Sequence, residues 1–283
     1  FGALLSNHYV IGEITHTFFA GMSTAGVLLA AITAYKILQG GPAADLFQKA
    51  MKGILAFTLI GLLGVAGAGH MHAQYLKEVQ PMKLSAMEAL WETADPAPFA
   101  AFAIINEDKM QNDFEITIPA MFSFMVYNKP AGEIKGIRDL QEEAVQMYGS
   151  DNYVPNVTAL FWAFRIMVGT GGLMILITGA ALLLAMRGKL ADKRCMLKVL
   201  LYSLPLPFIA NSVGWFVTES GRQPWIVVGL QKTVDAVSPN LTATDIWLTI
   251  IGFTLIYLVL IVFALGVAIR FIKTSPSPER SAA

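Results

Sequence analysis

Charge, cysteine and histidine are all scarce in this sequence. Of 283 residues only 14% are charged, whereas a soluble domain carries about 25%, so an ordinary water-facing surface is excluded and a membrane protein is expected. Neither sign is in excess, with Lys+Arg 20 against Asp+Glu 20. No nucleic-acid partner is therefore expected, because there is no surplus of cations to displace counterions from phosphates. A single cysteine, Cys195, excludes a disulfide framework and any cysteine-built zinc or iron–sulfur site. The 4 histidines become the scarce chemistry. Residue 1 is Phe1, with no signal-peptide layout ahead of the first apolar run, and the sequence reads as a fragment.

What the sequence has in quantity is apolar length, 55% of its residues being hydrophobic. A bilayer span needs about 20 predominantly apolar residues. Five windows meet that: roughly Ile14 to Leu38, Met51 to Gly69, Thr158 to Met186, Met196 to Thr218 and Ile246 to Ile272. Runs such as LIGLLGVAGAG and GLMILITGAALLLAM are apolar around their whole circumference, as suits lipid and neighbouring helices rather than the one-sided stripe of a soluble helix. The predicted fold is all-α integral membrane, five transmembrane helices with a long external loop between the second and third. Its divisions are residues 1–70 with two spans, 71–157 as the loop, 158–273 with three spans, and 274–283 as a tail.

Cytoplasmic loops carry the Lys/Arg excess. Lys36, Lys49 and Lys52 in the first connection, Arg187, Lys189, Lys193, Arg194 and Lys198 in the third, and Arg270, Lys273 and Arg280 at the end alternate correctly for five spans. These segments are expected inside and the 71–157 loop outside. That loop contains PMKLSAMEALWETADPAPF, in which Met82, Leu84, Met87 and Leu90 fit a short amphipathic helix ending near Asp95-Pro96. Long loops of this kind are functional or disordered.

The chemistry concentrates in a few places. His16 stands in an apolar run, where an ionisable residue is costly and a functional candidate; the plain alternative is a neutral imidazole bonded to a carbonyl or hydroxyl. Ala20, Gly21 and Ser23 beside it leave room for a flat macrocycle, whereas His8, His70 and His72 are expected to be solvated. In FWAFRIMVGTGG, Met167 lies about 13 Å into the third span, counted from Thr158 at about 1.5 Å per residue. Packing is the plain role for such a Met, but Arg165 two residues earlier demands an anion. Haem propionates would supply it, and a His/Met pair is a known axial set for low-spin haem. The fourth span is broken by Pro205 and Pro207 in LPLPF and ends in GWFVTESGRQPW, which holds Trp215, Glu219 and Arg222. These read as an interfacial aromatic belt with an ion pair, or as a carboxylate able to ligate iron. Lys83 and Glu88, five residues apart on the short helix, form either a solvated salt-bridge face or a donor and proton acceptor for quinol oxidation.

Taken together, GWFVTESGRQPW, AFRIMV, ITHTFFAG and KLSAMEALWET resemble subunit I of the cytochrome bd quinol oxidases, in that family's order and across practically the whole chain. The resemblance implies a terminal respiratory oxidase that oxidises quinol at the outer face, carries electrons through two b haems to haem d and reduces oxygen to water, building a proton motive force without pumping. It implies His16 and Met167 as axial ligands of low-spin haem b, with Arg165 close by, Glu219 on the iron of high-spin haem b, Trp215 between haems, and Arg222 against propionates. It implies Lys83 and Glu88 at the quinol in the external Q loop. It also implies a bacterial or archaeal cytoplasmic membrane with the C-terminus inside, a second subunit, a small accessory subunit, ubiquinol or menaquinol, oxygen and lipid as partners. The resemblance also implies four further helices before the one bearing His16, including a histidine that ligates one of the two oxygen-side haems, and the ligand of haem d is assigned to no residue here. Rival readings are a haem-free transporter built on the broken helix and a non-catalytic scaffold.

Overall fold

The computed structural model describes residue 2 and residues 7–41 and 44–274. Phe1 and the Ser-Pro-Ser-Pro tail with Arg280 lie outside them.

Five apolar stretches form helices long enough to cross a membrane, as expected. Helix α1, His8–Gln39, starts at Asn7, whose side chain accepts from the Tyr9 amide at 2.9 Å. Helix α2, Ala44–Val79, is 36 residues long, about 54 Å at about 1.5 Å per residue. It runs well past the predicted stop at Gly69. Polar residues begin there, but no glycine or proline interrupts the chain between Gly69 and Pro81, and His, Gln, Lys and Glu sustain a helix once water can reach it. Helix α6, Val157–Met186, begins within one residue of the expected place because Asn156 caps it, accepting from the Ala159 amide at 2.8 Å. The fourth span is split as LPLPF requires: α7, Arg194–Tyr202, and α8, Leu206–Ser220, meet at a turn through Pro205, with Pro207 in the first turn of α8, where a missing N–H costs nothing. Helix α9, Ala243–Lys273, opens with a capping box of Thr242 and Asp245.

The segment between α2 and α6 is folded. It contains α3 (Pro81–Glu88), a hairpin of β1 (Phe99–Asn106) and β2 (Gln111–Ile118), α4 (Met121–Tyr127) and α5 (Ile137–Tyr148). A second small hairpin, β3 (Trp225–Val227) with β4 (Gln231–Lys232), follows α8. The strands went unpredicted because FAAFAIIN lacks strict alternation, and β1 pairs through two register shifts. Side-chain bonds to backbone close the loop: Ser85 Oγ donates to Lys135 O at 2.7 Å, Trp91 Nε1 to Asn112 Oδ1 at 2.9 Å, and Asn112 Nδ2 to Ala89 O at 3.1 Å.

Helices α1 and α2 form an antiparallel seam in which small residues let the backbones close, a membrane-helix device. Gly26 faces Thr58, Gly61 faces Ser23, Gly64 faces the Phe19 ring and Gly69 faces His16. Two cores tie the bundle at its ends. One joins Ala30, Ala34, Met51, Leu55, Ala181 and Leu197; the other packs Leu84, Met87, Trp91, Phe122, Phe161 and Val217, holding the α2–α6 segment onto the ends of α6 and α8.

Candidate functional site

The segment-bearing end of the bundle brings most of the candidate residues together. Helix α3 begins with Pro81 at its first position and stops at Ala89, which adopts the left-handed conformation, rather than near Asp95-Pro96. All residues from Lys83 to Glu88 are buried, so the helix has no solvated face, and the exposed salt-bridge reading of Lys83 and Glu88 fails. Both flanks of α3 are covered, one by α6 and the other by Gly221.

Glu88 is 3% exposed and pairs with Arg165, Nη2 to Oε2 at 2.6 Å. The same guanidinium donates to the carbonyls of Met87 and Ala100 and lies 3.5 Å from the centroid of the Phe161 ring. The chain itself thus supplies an anion to Arg165. Burial pushes the Glu88 carboxyl up to about 7, Arg165 opposing. Lys83 is separate from this pair. Its stem lies across Gly221, where a Cβ would meet Lys83 Cγ at 2.8 Å and Cε at 3.0 Å, so only glycine fits after α8. Burial lowers the Lys83 ammonium to about 8; the charges of Glu13 and Glu219 favour the cation and that of Arg222 opposes it.

Around Lys83 stand groups that the sequence reading missed. Gln80 Nε2 donates to Tyr9 Oη at 3.4 Å, while Gln80 Oε1 is buried without a partner. His72, expected to be solvated, packs against Tyr9 at a centroid separation of 4.9 Å, and its Nε2 is buried with no hydrogen-bond partner. The extension of α2 carries it inward. His70 is exposed and shares hydrogen bonds with Asn128 and Gln74, as expected of a solvated residue. Glu13 is an ionisable group at the start of the first span, three residues before His16, and that spacing on one helix face was the signal available.

His16 and Met167 lie further along their helices, three residues past Glu13 and two past Arg165, whereas Glu219 is at the level of Lys83. His16 is half-buried beside Gly69, and its Nδ1 is buried without a partner. Met167 Sδ lies 3.0 Å from where a Cβ on Gly214 would stand, so α6 and α8 are close at that level. A Cβ on Gly21 would touch nothing within 4 Å. The His16 imidazole and the Met167 thioether are donor types of a known axial set for low-spin haem, and Gly21 is exposed. Among the described residues no group of three or more His, Cys, Asp or Glu side chains could hold a bare metal ion. Glu219 Oε2 accepts from Arg222 Nη2, both side chains being about one-third exposed. Arg222 Nε is buried without a partner, and Trp215 is 68% exposed.

Fold and site together define a multi-span helical membrane protein with buried acid–base groups at one end of its bundle. Residues 1–276 match the family model for cytochrome bd terminal oxidase subunit I, and the chain belongs to that family. It is 40% identical over 274 residues to cytochrome bd ubiquinol oxidase subunit 1 of Bacillus subtilis (strain 168), covering 96% of this chain and 58% of that protein. Cytochrome bd-II ubiquinol oxidase subunit 1 of Escherichia coli (strain K12) is 28% identical over 338 residues, covering 99% and 65% respectively. The structure of bd oxidase from Geobacillus thermodenitrificans superposes with a TM-score of 0.78 at 27% identity, over 94% of this chain and 58% of that one. The chain therefore spans less than two thirds of the length of these relatives.

Proposed function

We propose that this chain forms the electron-entry part of a quinol:oxygen oxidoreductase of the cytochrome bd type in a bacterial or archaeal cytoplasmic membrane, with the α2–α6 segment outside and the C-terminus inside. The observation that carries this reading is the burial of Lys83 and Glu88 in one short helix, with Glu88 held by Arg165 two residues before Met167 on the same helix. Oxidising a quinol needs a hydrogen-bond donor to one oxygen and an acceptor for its protons. Lys83 serves as donor and Glu88 as acceptor; a carboxyl near 7 can exchange a proton at neutral pH.

His16 and Met167 would hold low-spin haem b, and Glu219 the iron of high-spin haem b. Trp215 would lie between haems and Arg222 would meet propionates. Haem bound there would supply one-electron acceptance from the quinol; the ligand of haem d is assigned to no residue of this chain. The protein's own groups meanwhile orient the substrate: Arg165 fixes the Glu88 carboxylate through a charge-assisted bond, and Gly221 lets Lys83 reach the site. A second subunit, a small accessory subunit, ubiquinol or menaquinol, oxygen and lipid are the partners of the whole enzyme. In that enzyme, Met167→Leu is expected to abolish or shift the low-spin haem b band in the reduced-minus-oxidised spectrum while pyridine haemochrome analysis still finds haem b. An unchanged spectrum would sink the ligand assignment.

A further inference from the structure

The β1–β2 hairpin has two unlike faces. Cross-strand pairs Phe102/Ile116 and Ile104/Phe114 place four large apolar side chains on one face, while the pair Ala103/Glu115 lies on the other. Ala103 is 1% exposed, packed into the segment's core, whereas Phe102, Ile104, Phe114 and Ile116 are 38 to 54% exposed. The hairpin's turn carries Glu107, Asp108 and Lys109.

The height of this face is fixed by α6. Arg165, which donates to Ala100 O in β1, lies eight residues after Val157, about 12 Å along the helix at about 1.5 Å per residue. Trp162 meets Phe102 edge-on at a centroid separation of 5.2 Å. The hairpin therefore runs alongside the first three turns of α6, from Ala100 at Arg165, past Phe102 at Trp162, up to Glu107 in the turn, which accepts from the Thr158 amide at 2.9 Å. At that height Trp marks the headgroup boundary. Four half-exposed side chains of this size offer on the order of 100 Å² each, about 400 Å² in all. That is half of the roughly 800 Å² per partner that a stable protein interface needs and about the size of the largest apolar patch on an ordinary monomer, which is often functional.

We propose that the Phe102–Ile104–Phe114–Ile116 face of the hairpin is seated in the interface of the lipid leaflet on its side of the membrane, with the Phe102/Ile116 pair lowest, so that this face of the α2–α6 segment contacts lipid and not bulk water. The charged turn stays in water, and the face extends the lipid-facing surface of α6 sideways past Trp162.

Depth measurement by spin labelling tests this in the full-length protein with its natural subunits, reconstituted in phosphatidylcholine/phosphatidylglycerol vesicles. With Cys195→Ser and any other cysteine of the complex replaced as background, nitroxide labels are placed by Ile116→Cys, by Ile104→Cys, and by Asp108→Cys on the turn. The proposal expects the ratio of oxygen to nickel-chelate accessibility at 116 and 104 to exceed that at 108 several-fold. A nickel-dominated signal at 116 and 104 places the face in water and overturns it. Low accessibility to both agents shows that protein covers the face, another part of the oxidase or a second copy, and overturns it equally. Two label sites on different strands keep the result readable if one variant fails to fold.

Discussion

A guanidinium eight residues into an apolar helix must be neutralised, and Glu88 does this from the neighbouring short helix while two carbonyls take further Arg165 hydrogens. Removing one partner of such a buried pair strands the other, at about 3–5 kcal/mol, so Glu88→Gln is expected to destabilise as well as inactivate. The informative readout is the pH profile. Glu88 accepts a proton only when ionised, and its carboxyl is pushed up to about 7, so quinol oxidation should rise as pH climbs through 7. Lys83 donates as a cation, and its ammonium is lowered to about 8, so the rate should fall again above 8. A narrow bell between the two is expected in steady-state assays on the reconstituted enzyme, and Lys83→Met should remove its alkaline limb along with most of the activity. A flat profile from pH 6 to 9 would sink both roles. Arg165 and Glu88 were each singled out in the sequence, but their pairing was not, because 77 residues separate them and only the fold of the intervening hairpin brings Ala100 and Glu88 to the same guanidinium.

At the level of elements, helices were legible because a bilayer span is written as composition, but their caps were not read: Asn156 starts α6 one residue before the expected Thr158, and Thr242 starts α9 three residues before the expected Ile246. The end of α2 was not read either, since hydropathy marks where lipid stops and not where the helix does. That error hid His72, which the extra turns carry against Tyr9. The α1/α2 seam depends on bare backbone at Gly26, where a Cβ would stand 2.4 Å from Thr58 Oγ1 and 2.9 Å from its Cα. Gly26→Val is therefore expected to cost about 1–3 kcal/mol by overpacking, read as a lowered Tm in detergent, while Gly67→Ala, whose Cβ meets nothing within 4 Å, leaves Tm unchanged. Equal melting of the two variants would refute the seam.

Across the whole molecule, distant segments are joined by few but specific contacts. Tyr153 stacks on Trp225 at 5.5 Å, Tyr148 meets the same indole at 5.0 Å, and Lys232 pairs with Asp151 at 2.6 Å, so the end of the α2–α6 segment is latched to the hairpin that follows Arg222. Trp225→Ala should speed hydrogen exchange over residues 148–154 by roughly two- to tenfold, the ratio set by the ~0.5–1.5 kcal/mol of an aromatic pair; unchanged exchange would show that the latch bears no load. Helix α9 stands apart: apart from Gly252 and Ile272 its side chains are exposed, so among the described residues almost nothing packs on it. The sequence by itself determined the medium, the five spans, the break at LPLPF and the residues whose charge or donor atoms are expensive in lipid, because each of these follows from composition or from local backbone chemistry. Only the tertiary structure decided which of those residues meet, that Lys83 lies on Gly221, Glu88 on Arg165 and Phe102 on Trp162, because these are pairings between segments far apart in the chain and no local preference encodes them.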